Sequence, residues 1–293
     1  MGLFDSLFGR NNKKQEIPDD KHLLEQVEVA PGIVLPKLFA DHWPAIEKAA
    51  IPFVSIKALP KDDLALEESK FGHYPCMPLN FEYPKDSQGR FMYPLAQINC
   101  SDIPHLEGYP QSGYLQFYIS GFDDVYGLDF DDQQNQNNFR ILYFQENEVE
   151  QFKVDFSFLD EVMRSDMLPV FKPHGLAFSK SVEYVGLQDV HYDKVEPNLH
   201  TIANANPSIQ DDLIEMAYDT FTNNGHKMGG YAYFTQEDPR KYKEEFGDFI
   251  LLFQLDSDEH IMWGDVGVAN FFIHPDDLAK RDFSKVMYNW DCS

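Results

Sequence analysis

A chain of 293 residues with 43% hydrophobic and 25% charged side chains is long enough to bury a large core, as one big domain or two moderate ones. Its formal net charge of −25, from 24 Lys and Arg against 49 Asp and Glu, repels phosphate backbones, and no Lys/Arg cluster offsets it. Nucleic acid is therefore excluded as an expected partner; the charge suits either plain solubility or attraction of a basic protein.

Three widely spaced cysteines, Cys76, Cys100 and Cys292, show neither a C-x-x-C pair nor a Cys/His ligand spacing, which argues against a disulfide framework or a zinc site. No apolar run reaches the roughly 18 residues of a spanning helix and no secretory signal pattern is present, so the expectation is a cytoplasmic protein. Aromatic residues at 15%, with 25 Phe and 15 Tyr, favour a sheet-rich fold.

Met1 to Gly9 places Leu3, Phe4, Leu7 and Phe8 on one helical face, followed by Arg10, Lys13 and Lys14. Residues 1–14 so arranged would make a weak contact with an anionic membrane surface, or else dock on the protein itself. The M-G-x-x-x-S start also matches a myristoylation pattern that nothing else in the chain supports. Residues 1–25 are read as this segment and a polar linker, and 26–293 as the folded domain.

Pro36 to Ala50 has helical spacing in Leu38, Phe39, Trp43 (or Ala45), Ile46 and Ala49, but Pro44 splits it into two short turns. Ile51–Leu59 alternates as a strand. Gly72, Pro75, Pro78 and Pro84 make Lys70–Pro84 a rigid, irregular connection. Strands are expected at Phe91–Ile98, Gly113–Ile119 and Phe139–Phe144, with the amide-rich stretch Asp123–Asn138 as an exposed loop between the last two.

Another strand is expected around Val182–Val185. Ser208–Asn223 is the clearest helix, capped by Ser208, with Ile209, Leu213, Met216, Ala217 and Phe221 inward and Gly225 beyond its end. Strands follow at Phe249–Leu255 and Ala269–Ile273, then a helix opened by Pro275 over Asp276–Arg281, and a last strand at Lys285–Asn289.

The spacing hides a duplication. K-F-G-H-Y at Lys70 to Tyr74 and L-A-Q-I-N at Leu95 to Asn99 return as K-M-G-G-Y at Lys227 to Tyr231 and L-F-Q-L-D at Leu252 to Asp256. Both landmarks, Gly72 with Gly229 and Gln97 with Gln254, are offset by 157 residues. L-Q-F-Y-I at Leu115 to Ile119 matches A-N-F-F-I at Ala269 to Ile273 at an offset of 154. The expected fold class is thus α+β: one compact, sheet-rich domain with a few short helices, built from two pseudo-twofold-related repeats at about 51–150 and 205–293. Gln97 and Gln254, inside apolar strands, would serve as hydrogen-bond clasps where the repeats meet, or would face one another across a cleft.

S-K-F-G-H-Y-P, P-L-A-Q-I-N, G-Y-L-Q-F-Y-I, H-K-M-G-G-Y, L-L-F-Q-L-D-S-D, M-W-G-D-V-G-V-A-N-F-F-I and Y-N-W-D-C together resemble the YwqG family of bacterial proteins, over about residues 30–293. The resemblance implies a compact α+β protein with extended sheet structure and no established activity, so no catalytic residue carries over. His73 stands where that family often has a second glycine, and Ala232 where it often has a proline.

The densest chemistry lies in Q-L-D-S-D-E-H-I-M-W-G-D, where Asp256, Asp258, Glu259, His260 and Asp265 surround Trp263 and Gly264. Asp256, Asp258 and Asp265 are weak candidates for a divalent cation, because the loop lacks the sixth-position glycine and closing glutamate of an EF-hand. The alternative is a strand-ending turn whose carboxylates bond turn amides. His226 and His260 adjoin the repeated motifs and are the histidine candidates. No G-x-S-x-G, H-E-x-x-H, phosphate-loop or dinucleotide pattern occurs, and the glycines of G-H-K-M-G-G-Y suit a tight turn after the helix. No cofactor is expected beyond that weak cation. The expected function is binding: an acidic protein engaging a basic protein partner, an immunity-like inhibitor being one version. The alternative is a metal- or small-molecule-dependent enzyme using the acidic turn between the repeats.

Overall fold

The alternating and continuous apolar runs become strands, and the strands join into two sheets. The computed structural model describes residues 20–293, so the amphipathic segment at residues 1–14 lies outside the described residues. A small hairpin comes first, β1 (Gln26–Ala30) with β2 (Ile33–Pro36), followed by α1 (Lys37–Ala40) and α2 (Trp43–Glu47), the two short turns expected in place of one helix, with Pro44 in the first turn of α2. Then come β3 (Ile51–Pro60), β4 (Lys70–Phe71), β5 (Tyr93–Asn99), β6 (Tyr114–Ile119) and β7 (Phe139–Phe144). After α3 (Asp160–Met163) follow β8 (His174–Glu183), α4 (Leu199–Asn204), α5 (Gln210–Thr220), β9 (Lys227–Gly229), β10 (Ile250–Asp256), β11 (Val268–Ile273), α6 (Pro275–Lys280) and β12 (Met287–Asp291).

Ten of these strands make one antiparallel sheet in the order β12-β11-β10-β9-β3-β8-β4-β5-β6-β7. Its middle is the ten-residue pairing of β3 with β8, from Ile51 opposite Glu183 to Pro60 opposite His174. Strands β5, β6, β10 and β11 are buried on both faces, which explains why their sequences read as unbroken apolar runs. The sheet curls into a half-barrel. Phe117 of β6 lies with its ring centroid 4.6 Å from Phe253 of β10 and 5.0 Å from Phe271 of β11, and Phe139 of β7 comes within 5.1 Å of Tyr288 of β12. Strands at opposite ends of the order thus share one aromatic core. The hairpin and α1, α2, α4 and α5 pack a second cluster around Phe39, Trp43, Leu199, Leu213 and Phe221. Among the described residues, no helix is long and apolar enough to cross a membrane.

Several expectations change. The strand expected near Val182–Val185 is longer and earlier, because Ser179, Lys180 and Ser181 face solvent and blur its apolar alternation. Lys70–Phe71, expected to be irregular, pairs with both β5 and β8. The clearest helix begins at Gln210, and Ser208 donates its hydroxyl to Asp20 instead of capping it. The last strand runs two residues further along than expected, while β1, β2, β9, α3 and α4 have no counterpart among the predicted elements.

The amide-rich loop is the most informative change. It is a strap between the two ends of the sheet: Tyr288 of β12 donates its amide to the Gln133 carbonyl, and Gln133 Nε2 donates to Asn289 Oδ1. Gln136 Nε2 donates to the Phe283 carbonyl while its Oε1 accepts the Ile141 amide of β7. One amide side chain therefore ties β7 to the segment that leads into β12. Replacing Gln136 by Ala should cost about 1–3 kcal/mol in urea unfolding, because two backbone groups lose their partner. A change within a few tenths of a kcal/mol would show that the strap carries no load.

Candidate functional site

Gln97 sits on β5 opposite Lys70 of β4, and Gln254 sits on β10 opposite Lys227 of β9. Each is buried and each bonds backbone in its own half of the sheet. Gln97 Nε2 donates to the carbonyls of Leu66 and Glu68, and its Oε1 accepts the Cys76 amide. Gln254 Nε2 donates to the carbonyls of Asn223 and Gly225, and its Oε1 accepts the Tyr233 amide. The two share no partner. They act as clasps that pin the chain entering and leaving a short strand. Gln116 and Asn270, one strand further out, donate to the carbonyls of Cys76 and Tyr233.

The facing lysines are buried as well. Lys70 Nζ donates to the carbonyls of Ala65, Leu66 and Tyr74, and burial pulls its pKa down to about 8. Lys227 Nζ donates to both oxygens of Glu183 at 3.0 Å and to the Asn223 carbonyl. Exchanging Gln97 for Met keeps the volume but strands one amide and two carbonyls in the interior. The loss expected is roughly 2–4 kcal/mol, with the same range for Gln254→Met. Either variant unfolding within 0.5 kcal/mol (an approximate threshold) of the parent in urea would remove the clasp.

The acidic turn is held together by its own carboxylates. Asp256 accepts the amides of Gly225 and Ser257; Asp258 accepts those of His260 and Ile261. His226, 10% exposed, receives the Asp256 amide on Nδ1, so its ring proton sits on Nε2, 3.2 Å from Asp258 Oδ2. His260 lies 6.0 Å, ring to ring, from the buried His174. Trp263 is fully buried against Tyr126, and its N–H has no acceptor among the described residues. Asp265 is exposed, and its backbone carbonyl accepts the Ser293 amide. Thus Asp256, Asp258 and His226 meet, whereas Gln97 belongs to the other half of the sheet. Among the described residues no group of three or more His, Cys, Asp or Glu side chains is placed to hold a metal ion.

Burial opposes the charge on Asp258, but the His226 bond and the two turn amides outweigh it and hold the carboxyl at about 2. A carboxyl whose folded pKa lies below its unfolded one stabilises the fold above about pH 4, and that contribution disappears as the pH falls toward 2. With its side chain 33% exposed, Asp258 is expected to contribute about 1–2 kcal/mol. Urea unfolding of Asp258→Asn should show that deficit near neutral pH and converge with the parent near pH 2; parallel curves across the acid limb would refute the assignment.

A cavity of about 290 Å³ lies where the loop after β5 crosses the start of β3, the end of β9 and the start of β10. Its walls are largely apolar: Ile51, Leu106, Tyr109, Tyr231, Ile250 and Leu251. Glu107, His191 and Arg240 add polar groups. Gly229 and Gly230 both take positive φ, +67 and +75, and a Cβ on Gly230 would lie 1.9 Å from Glu183 Oε1, so the turn that floors the cavity requires glycine. Tyr109, itself buried, ties the loop after β5 to β10 by donating its hydroxyl to the carbonyls of Leu251 and Leu252.

Beneath the cavity is a buried ion cluster that sequence reasoning missed. Arg240 donates through Nη2 to Asp189 and Asp238 at 2.8 and 2.7 Å, through Nε to Asp238 and through Nη1 to the Phe249 carbonyl. Asp189 also accepts the Ala232 amide and, on Oδ1, both the backbone amide and the Nδ1–H of His191, the latter at 2.7 Å. Burial works against the Asp189 charge, yet Arg240 and the His191 bonds hold its carboxyl well below the usual range. With Nδ1 committed to a carboxylate, Nε2 is the acceptor of the His191 ring. The only trace of this cluster in the sequence is the D-x-H and D-x-R spacing at 189–191 and 238–240, too short to stand out.

No curated protein matches this chain. Residues 69–292 match the family described as a domain of unknown function, DUF1963, a span running from the strand that carries Lys70 to the residue after β12. The match covers both clasp glutamines, the acidic turn and the ion cluster, and the chain belongs to the DUF1963 family.

Proposed function

We propose that this protein is a cytoplasmic binding protein whose acidic surface engages a basic protein partner, with an immunity-like inhibitor as one version. The observation that carries this reading is where the charge resides. Among the described residues only Lys70, Lys227 and Arg240 are buried cations, against the buried carboxylates Asp86, Asp189, Asp238 and Asp291. The interior absorbs almost none of the excess, so nearly all of the −25 faces solvent. A field of that size accelerates encounter with a basic surface and disfavours acidic competitors. The carboxylates of the acidic turn support the same reading, since Asp256 and Asp258 are occupied by turn amides and His226.

Within the family, the motifs favour the YwqG-like group, and a duplication as the origin of the sheet. The duplication is supported by the bonding of the clasps: Leu66, Glu68 and Cys76 bond Gln97, and Asn223, Gly225 and Tyr233, each 157 residues further on, bond Gln254. The four strands β4 to β7 on one side of the β3–β8 pairing would then belong to one copy and β9 to β12 on the other side to its partner.

Immobilised full-length chain exposed to native cytosol should retain a protein of basic isoelectric point, and the purified pair should bind in a fixed ratio. Raising salt from about 0.05 to about 0.5 M should weaken that pair at least tenfold, mainly through a slower on-rate. A salt-insensitive affinity, or retention of acidic and basic proteins alike, would overturn the reading.

A further inference from the structure

We infer that the cavity between Leu106, Tyr231 and Ile250 is a binding site for a small hydrophobic amine. The site does not depend on the proposed protein partner, and it rests on four features of the cavity.

Size and lining come first. A volume of about 290 Å³ is at the small end of ligand sites and accepts a body of about ten to fifteen non-hydrogen atoms. The apolar walls of Ile51, Leu106, Ile250 and Leu251, with Tyr109 and Tyr231, suit a flat aromatic ring.

The second feature is the fixed tautomer of His191. Asp189 takes its Nδ1–H, so the neutral ring offers the Nε2 lone pair, and a ligand that uses it must bring a donor. The third is the sign of the surrounding charge. Arg240 is bonded to two carboxylates, Asp189 and Asp238, so the buried cluster carries one excess negative charge. Glu107, exposed at the cavity, adds another. A carboxylate or phosphate ligand is repelled, and an ammonium group is drawn in and can donate to Nε2 of His191 and to Glu107. The overall charge of −25 raises the local concentration of such a cation in the same direction.

The fourth feature is that the floor is prebuilt. The Gly229–Gly230 turn, the Tyr109 bridge to β10 and the Arg240 guanidinium, held by Asp189, Asp238 and the Phe249 carbonyl and stacked 4.3 Å over Phe272, hold the walls without a ligand, so little ordering is left to oppose binding. Asp189, Asp238 and Arg240 are positioning residues here; His191 and Glu107 would touch the ligand.

Tryptamine is a suitable probe, with indole as its uncharged analogue and indole-3-propionate as the carboxylate on the same skeleton. Titration of the full-length protein should show one saturable tryptamine site, at least about tenfold tighter than for indole-3-propionate. Methyl NMR shifts should be confined to Leu106, Ile51, Ile250 and Leu251, which separates this site from loose attraction to the acidic surface. Glu107→Lys changes an exposed side chain and should leave the melting temperature unaltered while reversing the preference toward the carboxylate. His191→Leu should weaken tryptamine at least about fivefold and bring it close to indole. Failure of tryptamine to saturate, shifts that map elsewhere, or an unchanged preference in folded Glu107→Lys would overturn the site. None of those results bears on whether a basic protein binds the outer surface.

Discussion

A primary amide buried between apolar strands sets the terms for much of this fold. Gln97 and Gln254 each carry two donors and a carbonyl oxygen that must be satisfied away from water, and each finds them in backbone from irregular chain outside its own strand. The bonds work in both directions. The amide escapes a desolvation penalty, and irregular chain at Leu66–Glu68 and Asn223–Gly225, which has no ladder to join, gains acceptors' partners in the interior. Lys70 and Lys227, opposite the glutamines in register, draw on the same carbonyls of Leu66 and Asn223. Very short strands, two and three residues long, can therefore hold central places in a ten-stranded sheet.

The two lysines differ in how their charge is met, and the difference shapes the surroundings. Lys227 faces the carboxylate of Glu183, which also accepts the Tyr231 amide and so anchors the Gly229–Gly230 turn. Lys70 has backbone carbonyls alone, and its pKa falls to about 8. A buried ion pair seldom adds net stability over an apolar replacement, but removing one member is costly. The Asp189–Arg240–Asp238 cluster follows the same logic on a larger scale. It joins two segments about fifty residues apart in the chain, and Asp189 fixes the orientation of His191 through its bond to Nδ1.

The apolar and ionic parts of the molecule divide the work. The curled aromatic core, with Phe117, Phe253 and Phe271 in contact across the sheet, supplies the non-directional stabilisation. The polar clasps, the ion cluster and the glutamine strap supply register and closure. Net negative charge is left on the outside, where repulsion among carboxylates costs some stability and selects the sign of whatever approaches.

The sequence by itself determined the strands that are buried on both faces and the two short turns around Pro44, because local periodicity and proline chemistry decide those without reference to distant residues. It also marked Gln97 and Gln254 as unusual, since an amide within an apolar run is visible in one dimension. Other features were settled only in the tertiary structure. β8 became a full-length strand through pairing with β3, despite a half-solvated face that hides its alternation. Gln133–Gln136 became a closing strap because curling brought β7 and β12 together, and an amide in a loop looks the same whether it meets water or a carbonyl. Asp189, His191 and Arg240 converge from segments about fifty residues apart, and the acidic turn spends its carboxylates on its own amides and on Gly225 and His226. Hydrogen-bond partners of buried polar groups are chosen by three-dimensional proximity, and that information is absent from any window of sequence.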